Sequence, residues 1–202
     1  MKFLSGRLVR ILFVAAVLSA PACGTKVSRV DVKEQKDLSG RWNDTDSRLV
    51  SEEVIKDVMS AAWLERFQPK KPGGVPTVIV GTIRNRSSEH INTQTFSKDL
   101  ERAWVNSGRV DVVASKDERK EIRDERTDQQ YGFTAQNQAD HAEKGADYML
   151  QGVINSITDQ AEGERVVFYQ INLELINLST NQKVWIGEKK IKKYIERSKA
   201  KF

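Results

Sequence analysis

The chain has 202 residues, 39% hydrophobic and 30% charged, with 33 Lys and Arg against 28 Asp and Glu and a formal charge of +5. That length is enough for one domain with a substantial core, and a single cysteine excludes a disulfide framework. Lys2, Arg7 and Arg10 account for three of the positive charges; the remainder carries 30 against 28, or +2, so the basic balance is no nucleic-acid signature.

Those three basic residues precede the apolar run Ile11–Leu18 and the small residues Ala20-Pro21-Ala22, the form of an export signal over residues 1–22. The run is well short of the roughly 20 apolar residues needed to span a bilayer, and no later stretch approaches that length. Cys23 follows the small residues directly, which predicts a lipoprotein whose mature N-terminus is the acylated Cys23. Cleavage by general signal peptidase is the alternative, with Ala20 standing where a lipoprotein signal usually has Leu. An unpaired exported thiol would be a liability, which favours acylation. Gly24 rather than Asp after the cysteine predicts sorting to the outer membrane, with the protein facing the periplasm.

Residues 23–45 read as a short tether; Gly24 to Asp44 is polar, lacks proline and reaches at most about 70 Å when extended. Capping side chains from Asn43 to Ser47, followed by Leu49, Val50, Val54, Val58, Ala61 and Leu64 at helical spacing, predict a helix from about Asp46 to Phe67. Pro69, Pro72, Gly73, Gly74 and Pro76 end it, and Trp42 is expected to pack on it as a lid. Thr77–Ile83 is an unbroken β-branched run, the pattern of a strand buried on both faces. Arg84–Ile91 is a polar loop, a helix capped at Asn92 or Thr93 runs to Ser107, Gly108 stops it, and Val110–Ala114 is a second strand. A strand, helix and strand so closely joined predict a right-handed parallel crossover.

Ser115-Lys116-Asp117-Glu118 fits a capping box for a helix to about Gln129. At 100° per residue, Lys116, Arg119, Lys120, Arg123 and Arg126 fall on one side and the acidic residues on the other. Ile122 is its sole apolar residue, so amphipathic burial does not explain the helix. Two readings stay open: a solvated connector, or a docking surface whose arginines meet an acidic partner. A shorter helix from Thr134 to Lys144 precedes three strands, Asp147–Ile157, Arg165–Leu178 and Lys183 to about Tyr194, joined by short links as an antiparallel meander. The predicted fold is α/β: a mixed sheet built from one parallel strand-helix-strand unit and a C-terminal antiparallel meander, flanked by helices. It occupies a single domain over residues 46–195, followed by a basic tail, 196–202.

Catalytic patterns are missing. The two histidines, His90 and His141, have no H-E-x-x-H, paired-cysteine or phosphate-loop context, and His90 beside Ser87, Ser88 and Glu89 lacks a nucleophile elbow. The expectation is a protein that is not an enzyme and has no cofactor or metal.

The blocks W-N-D-T-D-S (Trp42–Ser47), V-I-V-G-T-I-R-N-R-S-S-E-H-I (Val78–Ile91), E-I-R-D-E-R (Glu121–Arg126), G-A-D-Y-M-L-Q-G (Gly145–Gly152) and K-V-W-I-G-E-K-K-I-K-K (Lys183–Lys193) resemble the LpoB family of outer-membrane lipoproteins. The resemblance covers the chain from Trp42 onward. It implies a monomeric α/β domain that binds a class A bifunctional penicillin-binding protein and stimulates peptidoglycan synthesis, without chemistry of its own. The best-known members carry a long Pro-rich tether that this chain lacks. The alternative is a self-assembling envelope or secretion lipoprotein without a synthase partner. If the implied activity holds, Arg119, Arg123 and Arg126 are the first candidate contacts, with Arg84, Arg86 and His90 as the second.

Overall fold

The computed structural model describes residues 27–69, 72–132 and 143–196. Residues up to Glu34 form one unit and those from Gln35 another. In the first, residues 27–34 are exposed coil with a turn in which Asp31 accepts from the Lys33 N–H at 2.7 Å. Cys23, His141 and the tail 197–202 lie outside the described residues, as does most of the helix expected at Thr134–Lys144.

The second unit orders α1 (Asp44–Ser60), β1 (Thr77–Asn85), α2 (Thr93–Ser107), β2 (Asp111–Val113), α3 (Lys116–Gln130), β3 (Tyr148–Ala161), β4 (Glu164–Asn177) and β5 (Lys183–Glu196). The five strands make one mixed sheet in the order β2-β1-β3-β4-β5. β1 lies parallel to both β2 and β3, and β3, β4 and β5 form the antiparallel meander. β1, an interior strand next to the central β3, is closed off on both faces at Val78, Ile79 and Val80, as its continuous apolar run predicts.

Local chemistry sets the boundaries. Asn43 caps α1 in a reciprocal box, accepting from the Asp46 N–H at 3.1 Å while Asp46 accepts from the Asn43 N–H at 3.0 Å. α1 stops at Ser60, short of the expected Phe67. There the buried Trp63 folds back and its indole N–H donates to the Val58 carbonyl at 2.8 Å, satisfying a helix-end acceptor. Gly108, at φ 62°, closes α2. The β3–β4 link is a two-residue turn in which Glu162 (φ 47°) and Gly163 (φ 92°) are both left-handed, matching the twist of the hairpin.

One hydrophobic cluster joins Val50, Val54 and Val58 of α1 and Phe96, Leu100 and Trp104 of α2 to the inward residues of the sheet, among them Leu150, Ile154, Ile171 and Leu173. Gly152 is required where β3 passes β4, because a Cβ there would strike the Leu173 side chain and the Asn172 carbonyl.

Residues 35–43, expected as the end of the tether, pack on the domain. Trp42 meets Tyr169 edge-on at 5.4 Å and its backbone N–H donates to Glu89 at 2.9 Å. Asp37 and Asp46 both bind the Lys193 ammonium, at 2.7 and 2.6 Å, and Arg41 offers it a carbonyl at 3.0 Å. Burial pulls the Lys193 pKa down, but the hydrogen bonds its ammonium donates to the two carboxylates outweigh it and leave the pKa raised. Burial first, then Glu89, raises the Tyr169 phenol, whose oxygen has no partner of hydrogen-bond geometry.

Candidate functional site

α3 forms for local reasons. Ser115 accepts from the Glu118 N–H at 3.4 Å and Glu118 accepts from the Ser115 N–H at 2.8 Å, completing the predicted box. The Lys98 ammonium of α2 also pairs with Glu118, and these contacts, Lys98 foremost, hold the Glu118 carboxyl at a pKa of about 2. None of the 15 residues of α3 is buried, and Ile122 is 41% exposed. The helix therefore contributes nothing to the core.

Its arginines are not free. Glu143, just before β3, takes Arg123 in a two-pronged pair at 2.7 and 2.8 Å and Arg126 at 3.5 Å. The Arg123 hydrogen bond is the main cause of a lowered Glu143 pKa, and the fields of Arg126 and Arg119 push the same way. Arg119 Nε is shut off from solvent without a partner. Arg119, Arg123 and Arg126 thus gather around one internal carboxylate, which their helical spacing does not reveal because Glu143 lies 17 residues beyond Arg126.

Arg84 and Arg86 occupy different surroundings. Val78 and Val80 point inward, so unbroken alternation would send Thr82 and Arg84 into the core as well. A β-bulge between Val80 and Ile83 reverses the phase, burying Ile83 and turning Arg84 to the sheet face away from the core. Arg86 follows, its N–H donating to the Ile154 carbonyl at 2.8 Å. Both side chains are exposed, no described residue pairs with either guanidinium, and both line a concavity of about 250 Å³. Downstream, the loop is held by its own side chains: Asn85 donates to the Glu89 carbonyl at 2.7 Å and accepts from the Ser87 N–H at 2.9 Å. His90 is exposed on this loop and does not line the concavity. The structure brings Arg84 together with Arg86, but not with His90.

Among the described residues no group of three or more His, Cys, Asp or Glu is placed to hold a metal ion, and no helix is long and apolar enough to cross a membrane. Guanidiniums such as those of Arg84 and Arg86, exposed and without a described counter-ion, suit carboxylates.

The model of a protein family described as peptidoglycan-synthase activator LpoB matches residues 46–191, well over half of the chain. This chain belongs to the LpoB family. Among solved structures it is similar to the LpoB C-terminal domain from Salmonella enterica, with 16% identity over 72% of this chain and 98% of that one and a TM-score of 0.42. The LpoB C-terminal domain from Escherichia coli gives 16% identity, 75% and 99% coverage and a TM-score of 0.38. A PelC dodecamer from Paraburkholderia phytofirmans gives 16%, 62% and 77%, with a TM-score of 0.32. Comparison with curated protein sequences gives no match. LpoB proteins are outer-membrane-anchored lipoproteins described as activators of peptidoglycan synthases.

Sequence reasoning missed Glu143, the Lys193 network and the amide-rich wall beside Arg84. Only the wall had a readable signal, the Gln170, Asn172 and Glu174 alternation of β4 and its counterpart Gln151, Val153 and Asn155 in β3.

Proposed function

We propose that this chain is a lipid-anchored activator of a class A penicillin-binding protein, held in the outer membrane through Cys23 and facing the periplasm. Family membership over residues 46–191 carries the reading. The exposure of α3 supports it, since a helix with no buried residue is open to an approaching protein along its solvent side. The proposed contacts come from two groups, Arg119, Arg123 and Arg126 on α3 and Arg84, Arg86 and His90 at and beyond the end of β1. An activator of this kind raises the synthase's rate by binding its active state more tightly than its resting state, so stimulation is limited by that difference in affinity.

The test is glycan-strand polymerisation by the purified synthase, with and without the acylated protein. Stimulation that saturates with added protein is expected; a synthase whose rate does not respond at any concentration would sink the reading. Anchoring is checked separately. Cys23→Ser should move the protein from the membrane pellet to the soluble fraction and abolish metabolic lipid labelling.

A further inference from the structure

The concavity beside β1 has the composition of a recognition site. Its floor is Gly152 and Val153, one side carries Arg84 and Arg86, and the walls carry the amides of Gln151, Asn155 and Asn172. Register places them together: Arg84 lies opposite Val153, which lies opposite Asn172, and Gln151 lies opposite Glu174.

Charge on this face is uneven. Glu174 is engaged by Lys183 at 2.7 Å, and Glu188 by Lys190 at 2.6 Å and by Gln170 at 2.8 Å. Both acids are already compensated, whereas Arg84 and Arg86 have no counter-ion among the described residues. The surplus is positive and sits two residues apart at one end of the concavity. A volume of about 250 Å³ holds one or two side chains rather than a folded element or a drug-sized ligand. Amide side chains offer both donors and acceptors, as a peptide backbone requires, and guanidiniums grip carboxylates with two parallel bonds.

We infer that this concavity is the docking site for an acidic peptide segment of the synthase, whose carboxylates seat on Arg84 and Arg86 while Gln151, Asn155 and Asn172 bond to its backbone. The bulge in β1 is the device that makes the site, because it alone turns Arg84 out of the core. The inference rests on the activator reading and names the surface through which it works. The arginines of α3, already held by Glu143, are then secondary contacts.

The experiment measures affinity of the full acylated protein, in detergent micelles, for the purified class A penicillin-binding protein. Three forms are compared: the parent, Arg84→Glu/Arg86→Glu and Arg84→Lys/Arg86→Lys. Charge reversal is expected to weaken binding by roughly 100-fold and the lysine pair by roughly tenfold, because lysine keeps the charge but loses the two-pronged geometry. Neither change should alter the thermal midpoint, as both arginines are exposed and unpaired. Unchanged affinity for the charge-reversed form, with a parent that binds, overturns the docking assignment and leaves the activator reading standing. A parent that does not bind the synthase at all overturns both. Flotation with phosphatidylglycerol vesicles is the second arm. Loss of vesicle binding on charge reversal, with synthase binding intact, assigns the concavity to a membrane surface and also overturns the inference.

Discussion

Two groups of arginines, alike on paper, are in opposite electrical states. On α3, Arg123 and Arg126 share the carboxylate of Glu143, and Arg119 lies within its field. At the end of β1, Arg84 and Arg86 face solvent with no described counter-ion. A partner carboxylate must displace Glu143 to reach the first group, but it need displace only water to reach the second. Counting basic residues along a helix face therefore overstates what that face can offer, because the competing anion can come from anywhere in the chain.

The extreme case of a committed cation sharpens the contrast most. Lys193 has a side chain only 11% exposed and holds Asp46, whose side chain is 6% exposed, together with Asp37. Lys193→Ala leaves a buried carboxylate uncompensated and is expected to cost about 3 kcal/mol, lowering the thermal midpoint by roughly 6–12 °C in calorimetry. It should also loosen residues 35–43 to limited proteolysis. A midpoint within a degree of the parent would mean the network contributes nothing.

Next in size is the effect of reversing the α3 group. Arg119→Glu/Arg123→Glu/Arg126→Glu should reduce stimulation of the synthase by less than the Arg84→Glu/Arg86→Glu pair, which is expected to weaken binding by roughly 100-fold. The reverse ranking in the polymerisation assay would return α3 to first place. Glu143→Gln probes the same comparison from the other side. Removing the internal anion frees Arg123 and Arg126, so affinity should rise by less than about tenfold if α3 touches the partner, and stay unchanged if it does not.

The smallest expected effect is with pH. Glu118 is held at about 2, so its unfolded carboxylate binds protons more readily than its folded one. The stability it lends α3 is complete above the unfolded value near 4.5 and is lost as pH falls from there towards 2. Its side chain is 41% exposed, which limits the contribution to well under 1 kcal/mol. Amide exchange in the first turn of α3 should quicken over that window, while the core strands stay protected. Exchange that is flat from pH 5 to pH 2 would assign the capping box no net role.

What could be read from residues alone was whatever depends on neighbours in sequence. The capping side chains from Asn43 to Ser47, the capping box at Ser115, the stop at Gly108, the continuous apolar run of β1 and the alternation of β4 all act within a few residues, and they were enough for the mixed α/β sheet and its meander. The order of blocks from Trp42 onward likewise carried the family. Tertiary structure decided the rest, because each remaining feature joins residues far apart in the chain. Trp63 reaches back to end α1 early, Lys193 gathers Asp37 and Asp46, and Glu143 pairs with arginines that helical spacing alone offers to a partner. The β1 bulge belongs with them: whether Arg84 faces core or solvent depends on the register with β3, and a shift of one residue sends every following side chain to the other face.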